Sequence, residues 1–199
     1  MRTAREWDLD ARRTHVRGRA ARNMMPTMLQ GFESVTTERL LLRPFRDSDV
    51  EAVFALHGNP ETARFNPSGP LRTLDAAKEL LAVWLSDWAK HGVGYWAVER
   101  REAPGVVVGL CGVRHKLFEG RTVLNLAYRL APETQGSGYA TEVARVAVEK
   151  ARRHLPDVPL VAIIHPENTA SLRVAERLGL KFERITDYEG TPSRLYVAE

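Results

Sequence analysis

The sequence predicts an α/β (α+β) domain, a mixed and mainly antiparallel sheet flanked by helices. Three observations predict it. Three successive strand patterns, "YWAVERR", "VVVGLCGVRHK" and "TVLNLAYRL", are separated only by "EAPG" and "LFEGR", which read as hairpin loops. A strand–helix–strand crossover follows them and ends in "PLVAIIH", a short continuous apolar run of the buried kind. Hairpins join antiparallel neighbours and crossovers join parallel ones, so both kinds of pairing belong in one sheet. The 199 residues are 44% hydrophobic and 27% charged, enough for one well-buried domain.

The elements come in this order. "ERLLLRPF" reads as a strand, with Pro44 marking its end or a sheet edge. "DSDVEAVFALHG" reads as a helix capped by Asp47 or Ser48 and stopped at Gly58. "TLDAAKELLAVWLSDWAKHG" is a longer helix with Thr73 as cap and Gly92 as stop. Its apolar face is Leu80, Leu81, Trp84, Leu85 and Trp88. The three hairpin strands come next, then a helix to about His154, then the buried strand. "NTASLRVAERLG" is a helix capped by Asn168 and closed by Gly179, and "LKFERITDYE" and "RLYVAE" form a last pair of strands.

Charge separates a tail from the body. Residues 1–30 carry seven arginines against Glu6, Asp8 and Asp10, so the whole net charge of +4 sits there and residues 31–199 sum to zero. The expectation is a basic, disordered tail at 1–30 and a single domain at 31–199, with nucleic-acid binding confined to the tail if it occurs at all. "NMMPTM" offers Met24 or Met25 as an alternative start. Cys111 is the only cysteine, which argues against a disulfide framework and for a reducing, cytoplasmic setting. No apolar run has the length of a bilayer span, so no membrane partner is expected. His57, His91 and His165 lack metal-ligand spacing, and no metal is expected.

"TQGSGYATE" sets two glycines and a serine directly before a helix pattern. The first N–H groups of a helix have no internal partners and favour an anion. Gly136 and Gly138 would let successive amides turn inward around a phosphate. Alone, "GSG" reads as an ordinary turn before a helix, since it lacks the Lys-Ser/Thr of a P-loop and the spacing of the dinucleotide fingerprint.

The larger arrangement resembles a family. Gln135-x-x-Gly138-x-Ala140 is similar to the Gln/Arg-x-x-Gly-x-Gly/Ala signature of the GNAT superfamily of acyl-CoA N-acyltransferases. "GSGYATE", "NTASLRVAERLGL" and "TERLLLRPFRDSDVEAVFAL" resemble the branch containing the ribosomal-protein N-terminal acetyltransferases, and the likeness spans roughly Thr37 to Ala198. It implies a GNAT-like fold with a splayed central strand pair, and acetyl-CoA as co-substrate. The pyrophosphate would meet the amides of Gly136, Ser137, Gly138, Tyr139 and Ala140, introduced by Gln135. The pantetheine arm would run along the strand "LNLAYRL", with Tyr128 and Leu130 as nearest candidates and Asn168 beside it. Core packing and helix capping are the plain alternatives for Tyr128, Leu130 and Asn168. The resemblance also implies that Ser171 protonates the leaving thiolate, because Ala175 stands where many relatives carry the tyrosine that does so. The alternative is a first-turn serine bonded to local backbone.

For the general base the residues leave alternatives open. Asn125 stands where relatives often show Glu, and His115 and Glu142 are the candidates. A glutamate in a first helical turn is also explained by the helix dipole. An α-amine has a free pKa of about 8 against about 10.4 for lysine, so positioning with a weak base or a water relay would suffice for it.

The expected function is acetyl transfer to an amine, foremost a peptide or protein N-terminus. A polyamine or aminoglycoside acetyltransferase, or a sensor that binds acyl-CoA without turnover, stand as alternatives. A homodimer and an acyl group other than acetyl are left open.

Overall fold

A computed structural model describes residues 31–199, and the tail expected at 1–30 lies outside the described residues. One eight-stranded sheet runs in the order β1-β2-β3-β4-β5-β6-β8-β7. Its strands are β1 (Val35–Thr36), β2 (Leu40–Pro44), β3 (Tyr95–Arg100), β4 (Ala103–Phe118), β5 (Arg121–Leu130), β6 (Leu160–Ile164), β7 (Lys181–Tyr188) and β8 (Thr191–Val197). Between them stand α1 (Val50–Gly58), α2 (Leu74–His91), α3 (Tyr139–His154) and α4 (Thr169–Arg177). The α/β expectation holds, with antiparallel pairing everywhere except a parallel step from β5 to β6.

The helices cover both faces. On one side Val53 of α1 and Ala77, Leu81 and Trp84 of α2 pack on Tyr95, Ala97 and Leu110. On the other, Val143, Ala144, Ala147, Val148 and Ala151 of α3 pack with Val98, Val113, Leu124 and Leu126. Strand alternation sorts β5 between the two: Ala127 joins the α2 side, whereas Leu126 and Tyr128 join the α3 side.

Local signals explain most boundaries. The Thr73 side chain accepts from Ala76 N–H, and Gly92 ends α2 at φ +66°, bonding back to the Trp88 carbonyl. The β4–β5 and β7–β8 turns pair Glu119 (φ +48°) with Gly120 (φ +78°) and Glu189 (φ +56°) with Gly190 (φ +80°), the two consecutive left-handed residues that tight hairpins use.

Two points differ from the sequence expectation. The cap of α1 is Asp49 and not Asp47 or Ser48, because Asp47–Asp49 forms a separate 3-10 turn. The Asp49 carboxylate accepts the Arg46 N–H at 2.7 Å and pairs with Arg43, which also meets Glu99 at 2.6 Å. The break at "EAPG" is shorter than expected, as β4 begins at Ala103 and irregular pairing opposite Val98–Arg100 absorbs the extra length. The last pair of strands forms as expected, and β8 lies between β6 and β7, leaving β7 at the edge.

Candidate active site

β5 is paired with β4 along its whole length, from Arg121↔Phe118 to Leu130↔Gly109. On its other side only Leu124↔Leu160 and Asn125↔Val161 pair with β6, which then follows β8. From Leu126 onward the two strands diverge, so that edge of β5 presents backbone groups without a sheet partner. A cleft of about 280 Å³ opens there. Asn125–Arg129 of β5 and Ala162–His165 at the end of β6 form its sides, Asn168 and Ser171 close one end, and His57, Leu80 and Trp84 come from α1 and α2.

Beyond the end of β5 lies the glycine turn. Gly136 and Gly138 sit at φ +79° and +80°, and Gly138 is the N-cap of α3. A side chain at Gly136 would meet nothing within 4 Å, and one at Gly138 only Arg39 Nη2 at 3.6 Å. Glycine is therefore required here by conformation and not by crowding. The open approach leaves the first amides of α3 facing outward with the positive end of the helix dipole. Gln135 ties the turn to the strand, its Nε2 donating to the Leu130 carbonyl at 3.2 Å. Arg39, in the bend just before β2, donates to the Ser137 carbonyl at 2.8 Å and stacks 4.7 Å from the centre of the Tyr139 ring.

Asn168 caps α4: its Oδ1 accepts the Ser171 N–H at 3.1 Å, and its side-chain NH₂ remains for another partner. The Ser171 carbonyl accepts from the Tyr128 hydroxyl at 3.2 Å. Burial pushes Tyr128 above its ordinary pKa, so it stays a donor. Both backbone groups of Ser171 are engaged by this lock, while its hydroxyl has no side-chain or capping duty among the described residues.

The two base candidates lie outside the cleft lining. Glu142 accepts from the Thr37 hydroxyl at 2.6 Å and the Arg39 N–H at 3.1 Å, and it pairs with the Arg39 guanidinium at 2.7 Å. Burial alone would raise its pKa, but these partners outweigh it and hold the carboxyl below its ordinary value. His115 lies 4.5 Å from His91, ring centre to ring centre, and burial, with a smaller contribution from His91, lowers its pKa. Asn125 does line the cleft, its Nδ2 donating to the buried Tyr95 hydroxyl at 2.9 Å.

Two residues on the side of the cleft toward α1 and α2 were not among the expected site residues. His57 and Arg129 line the cleft, and His57 Nε2 and Arg129 Nη1 are buried without a hydrogen-bond partner. Burial, then the Arg129 charge, pulls His57 down to about 3, so it is neutral near pH 7. Burial lowers Arg129 only to about 10, which leaves it charged. The available signal was Asn125 and Arg129, two polar residues on the Ala127 face of the strand, which is directed at apolar helices. Among the described residues no three His, Cys, Asp or Glu side chains are grouped to hold a metal ion, and no helix is long and apolar enough to cross a membrane.

Comparison with known proteins agrees with this geometry. The model of the acetyltransferase (GNAT) domain matches residues 39–181. The chain is 26% identical over 154 residues to the uncharacterized N-acetyltransferase YoaA of Bacillus subtilis (strain 168), covering 77% of this chain and 86% of that one. A crystal structure of an acetyltransferase from Agrobacterium tumefaciens str. C58 superposes with a TM-score of 0.73 at 25% identity, over 92% of this chain and 99% of the other. A putative ribosomal-protein-serine acetyltransferase from Vibrio cholerae superposes with a TM-score of 0.64 at 21% identity, over 87% and 97% of the two chains, a likeness of fold alone.

Proposed function

Because the chain belongs to the GNAT acetyltransferase family, we propose that it acetylates the α-amine of a peptide or protein N-terminus. The reaction class is N-acetyl transfer from acetyl-CoA, which supplies the thioester. The new bond forms between the amine nitrogen and the acetyl carbon. The carbon–sulfur bond breaks, the amine loses a proton and the departing sulfur gains one.

The amides of Gly136, Ser137, Gly138, Tyr139 and Ala140 would receive the pyrophosphate, supported by the left-handed glycines and their open approach. The unpaired edge of β5 at Tyr128 and Leu130 would receive the pantetheine arm, with the Asn168 side-chain NH₂ beside it. Ser171 would give its proton to the sulfur. Its placement in the cleft and its unengaged hydroxyl support that role. His115 and Glu142 keep their stacking and ion-pair positions, and a water in the cleft serves as proton carrier.

One observation carries the choice of acceptor: the charged side chains lining the cleft are Arg114 and Arg129, and no carboxylate lines it. Arg114 is answered by Asp87, but Arg129 has no counter-ion among the described residues and repels a polyamine or an aminoglycoside. Without a carboxylate base, an amine already neutral in part is favoured, and an α-amine of pKa about 8 is roughly a tenth neutral at pH 7. The test is an acceptor panel with acetyl-CoA, comprising ribosomal-protein N-terminal peptides, spermidine and an aminoglycoside. Peptide turnover above the others is expected. A preference for spermidine would reject the proposal, and CoA binding without turnover of any amine would favour the sensor alternative.

A further inference from the structure

We infer that Arg129 is an acceptor-recognition residue and that the acceptor carries a carboxylate close to the amine it presents. The inference rests on the acetyl-transfer reading above and narrows its substrate class.

The two arginines of the cleft differ in one respect. Arg114 has a counter-ion, Asp87, at 2.8 Å. Arg129 has none among the described residues, and its Nη1 is buried with no hydrogen-bond partner. Arg43 meets both Asp49 and Glu99, and Arg194, which has no counter-ion among the described residues, lies over the Phe182 ring outside the cleft. A charged group taken out of water is costly unless it is paired. The fold leaves Arg129 unpaired in the cleft where the acceptor would bind, so the counter-ion is assigned to the ligand. His57 Nε2 is a second orphan on the same wall. It lies close enough for the Arg129 charge to help keep the imidazole neutral. A neutral imidazole beside a guanidinium leaves the positive charge uncancelled, with an extra polar contact for an anion's second oxygen or a bound amine.

The position suits the acceptor and not CoA. Along β5 the side chains of Asn125, Ala127 and Arg129 share the face toward α1 and α2, whereas Tyr128 leaves the other face to meet Ser171. Arg129 therefore stands across the strand from Ser171. The planar guanidinium fork matches a carboxylate with two parallel hydrogen bonds. Two sources carry this chemistry: the side chain of an acidic first residue of a peptide, and the α-carboxylate of a free amino acid.

The experiment uses the full chain saturated with CoA and measures binding by calorimetric titration, separately from turnover. Two isosteric pairs are compared: amidated peptides beginning with Asp or with Asn, and alanine or alaninamide. In the wild type the charged member of at least one pair binds about 10²-fold more tightly, the scale for losing one partner of an enclosed charge pair. The responding pair identifies the source. Arg129→Met brings that ratio close to one without lowering the thermal midpoint, since it removes an unpaired cation from an enclosed site. Arg129→Lys, which keeps the charge and loses the fork, retains part of the preference and serves as the test variant should Arg129→Met not fold. Equal affinities within both pairs in the wild type, or a preference that survives in the variants, overturns the assignment. Turnover measured on the same samples reads acetyl transfer independently, so carboxylate binding without acetylation would sink the proposed function and leave Arg129's role standing.

Discussion

Replacing Ser171 by alanine removes one hydroxyl from the cleft and nothing from the scaffold. The bond to Asn168 Oδ1 uses the Ser171 backbone N–H, and the bond from Tyr128 uses its backbone carbonyl, so both survive the change. The helix cap belongs to Asn168. Asn168→Ala should therefore cost about 1 kcal/mol, a fall of roughly 2–4 °C in Tm for a domain of this size. Ser171→Ala should shift Tm by less than about 2 °C. If the hydroxyl protonates the departing sulfur, its contribution appears only as charge develops there. Then kcat and kcat/KM fall together by about 10²–10⁴-fold while CoA affinity is unchanged. Thermal melting, CoA titration and steady-state kinetics on the two variants separate the roles. Ser171→Ala turning over within about threefold of the wild type would refute the catalytic assignment, and a Tm loss matching that of Asn168→Ala would move the serine to the scaffold.

Three further outcomes are expected. Gly138→Val forces a branched side chain to φ +80°, costing about 1–2 kcal/mol or more, and CoA affinity measured by titration should fall at least tenfold, roughly 1.4 kcal/mol; wild-type affinity would remove the turn from the cofactor site. Glu142→Gln should leave kcat nearly unchanged and lower stability by no more than about 1 kcal/mol, because its partner Arg39 is partly exposed, so a collapse in rate would return Glu142 to the chemistry. His57 falls from an ordinary 6.5 to about 3 in the fold. Between those values the unfolded chain binds the proton and the folded chain does not, so stability is complete above about pH 6.5 and declines as pH falls toward 3. Melting curves should show a steeper acid decline in the wild type than in His57→Leu, and identical slopes would contradict the buried neutral imidazole.

The parts legible in the sequence are those set by neighbours along the chain. Thr73, Gly92, Gly138 and Asn168 each do what their residue type does at a helix end, and the antiparallel run β3–β4–β5 follows from its short turns. The boundary at Asp49 was missed because three adjacent residues, Asp47–Asp49, all suit a cap, and only the pairing with Arg43 selects the last. The insertion of β8 beside β6 has no local signature, since a hairpin can add to a sheet by either of its strands. The meeting of His57 and Arg129 is likewise tertiary: one lies near the end of a helix, the other near the end of a strand, and only the packing of α1 on the sheet brings both to one cleft. Read locally, Glu142 is a first-turn acid and a candidate base; the fold gives it Thr37 and Arg39 from the segment before β2.

The insertion of β8 has a consequence for biosynthesis. β6 holds to β5 by two residue pairs and to β8 by four, Val161↔Val197 through Ile164↔Arg194. The ribosome releases a chain from its N-terminus, so the glycine turn, α3, β6 and Ser171 all emerge before Thr191–Val197. A nascent chain thus owns every side chain of the site before it owns the site, because the wall opposite β5 gains most of its pairing from the strand made last. Anything that binds the formed cleft stabilises chains that carry β8 by mass action, and cellular acetyl-CoA would in this way favour them over truncated ones that end before β8.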